Sequence, residues 1–253
     1  MRGRRGRLSI PRRIVADYLH AARHVPATVV QTRMHLAPLV EARTAARQLA
    51  AWSAIYARAY GLVAADMPEL RRFYMRFPWP HFYELDASVG QIAVERRIGD
   101  EPAVLGIILK EPEARTLPEM TRFITDAMAS PIERFKDFKR AVSIARLPLP
   151  IRRLVIWIGL TFGRQRANYF GTFAVSSVAY LGADIALSWT PCPVLLTYGV
   201  ATATGEIDVR LVFDHRCFDG ATAARALARL QEVLLGPVLA EVRGLSAADV
   251  IAS

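Results

Sequence analysis

The spacing of apolar positions divides the chain into helices and strands. Apolar residues recur every three or four positions over Ile14–Arg23, whereas Thr28–Leu36 and Ile207–Phe213 alternate with the two-residue period of a strand. Further helices are predicted over Pro38–Leu49, Ala51–Ala65, Leu117–Ala129 and Ala221–Leu235, and further strands over Phe82–Ile98, Ala103–Leu109, Gly171–Val178 and Val194–Ala203. Residues 131–168 are predicted to be helical but irregular, because two prolines interrupt them.

The order of these elements predicts an α+β fold. Helices and strands interleave without a strict β-α-β rhythm, which favours a mixed sheet with helices packed on one side. No internal repeat or flexible linker divides the chain, so residues 10–253 are predicted to form one domain that follows a basic tail at residues 1–9. A chain of 253 residues with 53% apolar content is large enough to bury the core of such a domain.

The net charge of +10 is unevenly distributed. Six arginines lie in the first thirteen residues, and residues 133–166 contain nine basic residues against two acidic ones. Such segments can meet nucleic acid, anionic lipid, cofactor phosphates or an acidic carrier protein. They can also be solvated surface that reflects compositional bias, since 30 of the 33 basic residues are arginine. No nucleic-acid-binding motif accompanies the charge, and a nucleic-acid partner is not predicted.

Cysteine usage and hydropathy bear on the compartment. The two cysteines form no disulfide framework and no Cys/His cluster, so no metal site is predicted and the cytoplasm is expected. The longest apolar run, Leu154–Phe162, is nine residues, about half of what a membrane span needs. This run is expected to line an acceptor channel or to pack in the core or between subunits.

The segment Asp214-His215-Arg216-Cys217-Phe218-Asp219-Gly220 carries the strongest chemical signal. It follows a predicted strand and precedes a predicted helix, so an imidazole and two carboxylates lie at a strand-to-helix junction. Histidine side chains in general titrate close to neutral pH and are the commonest general bases. The adjacent Cys217 is predicted to be a packing residue, because nothing in the pattern activates a thiol.

With these elements in order, the chain resembles the catalytic core of the dihydrolipoamide acyltransferases, the E2 components of 2-oxo acid dehydrogenase complexes. It thereby resembles the wider chloramphenicol acetyltransferase-like fold. The family motif D-H-R-x-x-D-G-A reads DHRCFDGA at residues 214–221, and the block G-T-F-T-x-S-N-x-G reads GTFAVSSVA at residues 171–179. The resemblance covers about residues 10 to 240. Ser177 and Ala179 depart from the Asn and Gly usual in the family.

The resemblance implies a catalytic arrangement. His215 would take the proton from an acceptor thiol or hydroxyl, which then attacks an acyl thioester without an acyl-enzyme intermediate. Ser176 would donate a hydrogen bond to the oxyanion. Asp219 would be structural and pair with an arginine, for which Arg12 or Arg13 on the first helix is expected. Contacts to substrate or cofactor are expected from Thr172, Ser177 and Arg216, and a structural role at the site from Asp214 and Gly220.

The resemblance also implies partners. Family members are trimers whose active sites lie between subunits, with the histidine and the serine supplied by different chains, so a homotrimer or a larger assembly is expected. The acyl donor would be an acyl-CoA or the phosphopantetheine of an acyl carrier protein, and the acceptor a small molecule. No lipoyl domain fits beside the core, and the chain has only three lysines, so lipoyl attachment on this chain is not expected.

Three function classes remain open from the sequence. The favoured one is a free-standing acyltransferase that transfers an acyl group from CoA or a carrier protein to a hydroxyl or thiol. A lipoyl-dependent core working with separate lipoyl proteins is a variant of this class. The second is a non-catalytic scaffold with the same fold, and the third is a binder of membrane surfaces or anionic polymers through the basic segments.

Overall fold

A computed structural model describes residues 3–4, 6–47 and 49–245 of the chain. The helices are α1 Ile10–Ala22, α2 Ala37–Ala45, α3 Trp52–Asp66, α4 Leu117–Ala129, α5 Lys136–Arg146, α6 Leu149–Thr161, α7 Gly163–Phe170, α8 Gly220–Leu235 and α9 Pro237–Arg243. The strands are β1 Ala27–His35, β2 Arg72–Met75, β3 His81–Glu84, β4 Val89–Ile98, β5 Glu101–Lys110, β6 Phe173–Ser176, β7 Val194–Tyr198 and β8 Glu206–Asp214. Short 3₁₀ turns connect several of these elements.

Most predicted elements are found within a few residues of their expected ends. The helix α4 begins as its sequence indicates, because the Thr116 hydroxyl accepts from the Glu119 backbone N–H while the Glu119 carboxylate accepts from the Thr116 N–H. The expected strand Phe82–Ile98 is instead two strands, β3 and β4. The sequence analysis missed β2, which pairs with β3 as a separate hairpin.

Six strands form one mixed sheet in the order β1-β8-β7-β6-β4-β5. The central strand β6 runs parallel to both β4 and β7, and the remaining pairs are antiparallel. The α+β prediction with a mixed sheet is therefore confirmed. This order brings β8, which leads into the 214–220 motif, between β1 and β7.

Helices cover both faces of the sheet, so the expectation of helices on one side is wrong in this detail. The main core lies on the face of Ile92, which belongs to the same buried cluster as residues of α3, α4 and α8. Successive strand residues point to opposite faces. Gln91 therefore points away from this core, and its side-chain oxygen accepts from the hydroxyl of Tyr18 on α1 at 2.7 Å.

A buried ion cluster fixes the position of α6 against α1. The Arg152 Nε lies 3.3 Å from one carboxylate oxygen of Asp17, and the Arg153 Nη1 lies 3.5 Å from the other. The Asp17 and Arg152 side chains are each only 8% exposed. Both carboxylate oxygens of Asp17 lie within ion-pair distance of these guanidinium groups, but the geometry is not that of a hydrogen bond. The cluster leaves the apolar run 154–162 on the outer side of α6.

Within one chain the run 154–162 is not packed in the core, and packing between subunits stays a prediction. Leu154, Trp157, Ile158 and Phe162 are all exposed. Within the described residues, no helix has the length and hydropathy needed to cross a membrane.

Replacing Asp17 by Asn is expected to lower the free energy of unfolding by about 3 kcal/mol, because the buried Arg152 and the partly buried Arg153 lose their counter-charge. The measurement is urea unfolding followed by circular dichroism. Asp66→Asn is the matched control, since Asp66 pairs with Arg229 on the surface and both side chains are about half exposed. Equal effects of the two substitutions would contradict a structural role of the buried cluster.

Candidate active site

His215 lies immediately beyond the end of β8. The strand ends at Asp214, whose N–H donates to Pro193 O at 2.8 Å, and the His215 N–H donates to Pro26 O just before β1 at 3.1 Å. The backbone of His215 is therefore held on both neighbouring strands. Its side chain is exposed, with the ring centroid 5.8 Å from that of Phe213. The imidazole is accessible to a substrate, while its backbone belongs to the rigid sheet.

The turn that carries His215 is closed by a buried ion pair. The Asp214 carboxylate is fully buried and accepts from Arg216 Nε at 2.8 Å, Arg216 Nη2 at 2.6 Å and the Arg216 N–H at 3.1 Å. A bidentate pair of this kind fixes direction as well as distance. This pair supports the structural role predicted for Asp214. Arg216 is committed to the same pair and is only partly exposed.

The hairpin β2–β3 supports the turn from outside. The Arg72 guanidinium donates to Cys217 O at 2.9 Å through Nε, and the guanidinium carbon of Arg216 lies 4.4 Å from the centre of the Tyr74 ring. Arg166 of α7 is buried behind the hairpin, where its Nη1 donates to Tyr74 O at 3.0 Å and its Nη2 to Pro191 O at 2.8 Å. Burial lowers the pKa of the Arg166 guanidinium from its usual value.

Sequence reasoning missed Arg72, Tyr74 and Arg166. They lie at least 48 positions away from the motif in the chain, and nothing in their spacing marks them. The tertiary fold alone brings them to the turn. These three residues add support to a turn that the Asp214–Arg216 pair already closes.

Cys217 is a packing residue in this structure. Its side chain is buried in the main core, and burial raises the pKa of the thiol to about 11. Phe218 stacks on Phe213 with ring centroids 4.8 Å apart. A thiol with this pKa is protonated at neutral pH and is not a nucleophile.

Asp219 begins the helix α8. Its carboxylate accepts from the Thr222 N–H at 2.8 Å, which is the N-cap arrangement, and this backbone hydrogen bond lowers the pKa of Asp219. Gly220 is the first helical residue, and a Cβ there would meet no atom within 4 Å. No steric contact within one chain therefore requires glycine at position 220, and the structural role expected of Gly220 stays a prediction.

The expected pairing of Asp219 with an arginine of α1 is not formed. Arg12 contacts Glu101, with Nε 3.4 Å from the carboxylate, and Arg13 donates to the backbone oxygens of Leu8 and Ala145. The prediction is wrong for a single chain because the start of α1 packs beside β5 and α5, whereas Asp219 lies at the β8 side of the sheet.

Ser176 lies at the end of β6 and on the opposite face of the sheet from the main core. Phe173 and Val175 belong to that core, and strand alternation turns Ala174 and Ser176 to the other face. The Ser176 side chain is half-buried. By contrast, the His215 ring lies beside the core residue Phe213.

The structure keeps His215 and Ser176 of one chain apart. Ser176 pairs with Thr197 on β7, which pairs with Arg210 on β8, five residues before His215. At 3.3 Å per residue these positions are about 16 Å apart along the strand, and two strand spacings add about 10 Å across the sheet. The two side chains therefore cannot act on one substrate within a single chain.

Two residues expected to contact substrate are used by the backbone instead. The Thr172 hydroxyl is fully buried, accepts from the Val89 N–H at 3.0 Å and donates to the Val89 O at 3.2 Å, which joins β4 to β6. The Ser177 hydroxyl donates to Tyr198 O at 2.7 Å and accepts from the Ala179 N–H at 3.1 Å. Thr172 is therefore out of reach of a substrate, and Ser177 has its hydroxyl committed to a local turn.

A cationic cleft lies at the β5 edge of the sheet. It has a volume of about 640 Å³, and its lining includes four basic side chains, those of Lys110, Arg115, Lys136 and Arg140. The Arg140 guanidinium carbon lies 4.5 Å from the centre of the Tyr169 ring, and Nη1 lies 3.7 Å from Asp137. Lys136 and Arg140 belong to the basic segment 133–166. The cleft collects part of that charge at a concave surface.

Solved structures share this fold across nearly the whole chain. The catalytic core of a 2-oxoacid dehydrogenase multienzyme complex from Thermoplasma acidophilum is 18% identical, with a TM-score of 0.66 over 93% of this chain and 99% of that one. The dihydrolipoamide acetyltransferase of Azotobacter vinelandii is 16% identical, with a TM-score of 0.64 over 94% of each chain. A chloramphenicol acetyltransferase is 13% identical, with a TM-score of 0.53 over 90% of this chain and 96% of that one.

Comparison at the level of sequence gives a different result. No protein-family model matches this sequence, and no curated protein matches it. The likeness to solved structures therefore concerns the architecture and not the identity of the substrate. The chain has the chloramphenicol acetyltransferase-like fold of the catalytic cores of 2-oxo acid dehydrogenase complexes.

Proposed function

We propose that this protein is an acyltransferase that moves an acyl group from a phosphopantetheine thioester, of CoA or of an acyl carrier protein, to a hydroxyl or thiol of a small molecule. The observation that carries the proposal is His215, an exposed imidazole on a backbone fixed by β1 and by the buried Asp214–Arg216 pair. General bases need an accessible proton-accepting atom on a rigid support. The neighbours of this fold include acetyltransferases, which supports the same reaction class.

The reaction needs one base and no covalent enzyme intermediate. The imidazole of His215 takes the proton from the acceptor O–H or S–H as the oxygen or sulfur forms a bond to the thioester carbonyl carbon. The tetrahedral intermediate then expels the phosphopantetheine thiolate, which takes the proton back from the imidazolium. Atoms and charges balance without a further reactant. The buried, protonated Cys217 has no part in this sequence.

Ser176 is proposed to stabilise the oxyanion by donating its hydroxyl hydrogen. A donor placed where negative charge develops is worth about 2.7–4 kcal/mol in acyl transfer. The dihydrolipoamide acetyltransferase of Azotobacter vinelandii has been investigated for the role of a serine and a histidine in its catalytic mechanism. That precedent supports the pairing of these two residue types here.

A second copy of the chain is needed to complete this site. His215 and Ser176 lie at different ends and on different faces of one sheet, so His215 of one chain would meet Ser176 of its neighbour. The segment after Ser176 supports an association there, because Tyr180, Leu181, Leu187 and Trp189 expose large apolar side chains. A cyclic trimer places three such sites at three equivalent interfaces.

The cationic cleft is proposed to receive the donor's phosphates. Its four basic side chains are complementary to the phosphates of CoA and to an acidic carrier protein. Arg140 is held in place by Asp137 and Tyr169, which reduces the cost of ordering it.

The first prediction concerns His215→Ala. We expect kcat for thiol release from a panel of acyl-CoAs to fall by about 10²–10⁴-fold, because the base is lost. The fold and its Tm should persist, because the side chain is exposed. His35→Ala is the matched control, since His35 is an exposed histidine at the far end of the same β1–β8 pair. Unchanged release in His215→Ala would contradict the base role and favour a non-catalytic scaffold.

The second prediction tests whether the site is shared between chains. Ser176→Ala should lower kcat by about 10²–10³-fold. When His215→Ala and Ser176→Ala chains are unfolded together and refolded, random mixing should restore about a quarter of the wild-type sites. Activity in the mixture is compared with that of each variant refolded alone. A mixture no more active than its components would show that both residues act from one chain or that one of them is not catalytic.

A further inference from the structure

The helix α6 exposes its apolar side chains and buries a charged one. Trp157, Leu154 and Phe162, the last just beyond the helix, are 56%, 55% and 52% exposed, whereas Arg152 is buried against Asp17. A surface helix ordinarily turns its apolar stripe toward the core. We use the term α6 face for the exposed apolar residues Leu149, Ile151, Leu154, Trp157, Ile158 and Phe162.

Contacts on the inner side hold α6 in this orientation. Arg152 reaches Asp17 of α1, and its Nη1 also donates to Ala145 O at 3.3 Å. Gly159 lies against α7, where a Cβ would be 3.1 Å from Cδ2 of Tyr169. Rotation of α6 to bury Leu154 would break the Arg152–Asp17 ion pair and move Gly159 away from Tyr169. The α6 face is therefore a fixed property of the fold.

The α6 face has one side-chain hydrogen-bond donor, the indole N–H of Trp157. The one hydroxyl in residues 149–162, that of Thr161, donates to Trp157 O at 2.7 Å within the helix. Protein interfaces carry about one hydrogen bond per 100–200 Å². An acyl-chain environment requires none, because burial of apolar area is not directional. This composition favours lipid over a protein partner.

The exposed charge next to the α6 face is positive and is complementary to an anionic surface. The sequence has no acidic residue between Asp137 and Asp184, and of the seven basic residues there Arg152 and Arg166 are buried. Arg146 and Arg164 are exposed just before and just after the helix. A second copy of the chain docked face to face would bring like charges together, which disfavours that occupant. Anionic phospholipid headgroups are complementary to the same arginines.

We infer that the α6 face docks on the surface of an anionic phospholipid bilayer. A helix of 13 residues is about 20 Å long, too short to cross a hydrocarbon core of about 30 Å, so it lies parallel to the surface. Trp157, Leu154 and their neighbours enter the boundary between headgroups and acyl chains, and Arg146 and Arg164 meet phosphates. This inference goes beyond acyl transfer and does not depend on it.

The test is co-flotation of the full chain with vesicles of phosphatidylcholine and phosphatidylglycerol, against vesicles of phosphatidylcholine alone. We expect binding to the anionic vesicles that weakens at high salt, and weaker binding to the neutral ones. Leu154→Glu should lower anionic-vesicle binding about tenfold or more, because it places a carboxylate in the apolar boundary. Met128→Glu is the matched control, since Met128 is a helical residue that is 56% exposed on α4.

A second readout reports insertion directly. Brominated lipids should quench tryptophan fluorescence in the wild type, and Trp157→Phe should reduce the quenching while binding persists. Absence of binding to anionic vesicles, or equal binding by Leu154→Glu and Met128→Glu, would overturn the inference. So would a change in subunit number of Leu154→Glu without vesicles, since the α6 face would then be a contact between chains. No acyl donor is present, so failure here leaves the acyltransferase proposal unaffected.

Discussion

The buried carboxylate of Asp214 is the constraint on which the candidate active site depends. A charge taken out of water must be neutralised and hydrogen-bonded, and Arg216, two residues later, supplies two side-chain donors and its own N–H. The chain must therefore turn immediately after β8. That turn directs His215 outward, sends Cys217 into the core and leaves Asp219 free to cap α8. The proposed general base, His215, owes its position to an ion pair in which it takes no part.

The same turn joins parts of the chain that are distant in sequence. The hairpin β2–β3 touches it through Arg72 and Tyr74, and Arg166 of α7 fixes the hairpin in turn. Tyr83 of the hairpin also lies against Gly163, where α6 meets α7. A continuous set of contacts thus runs from the His215 turn to the end of α6. The proposed catalytic and membrane-docking regions therefore rest on one supporting element, the hairpin.

Charge in this protein has three different uses. The Asp214–Arg216 pair shapes a turn, the Asp17–Arg152–Arg153 cluster orients a helix, and the four basic side chains of the cleft remain at a concave surface. Net charge alone distinguishes none of these uses. Burial decides between them, because a buried arginine must serve its partner while an exposed one is available to a ligand.

The sequence by itself determined most elements, the α+β class and the position of the histidine motif, because periodicity, capping and turn residues act over a few positions. The capping box of Thr116 and Glu119 and the strand leading to His215 were predictable for this reason. Only the tertiary structure decided that Arg12 and Arg13 lie away from Asp219, that Thr172 is buried between strands, and that α6 faces outward. The family resemblance already implied that Ser176 and His215 of one chain act in different sites, and the strand order supplies the physical reason. Each of the features that the tertiary structure decided depends on strand order and on packing between distant segments, which local patterns do not encode.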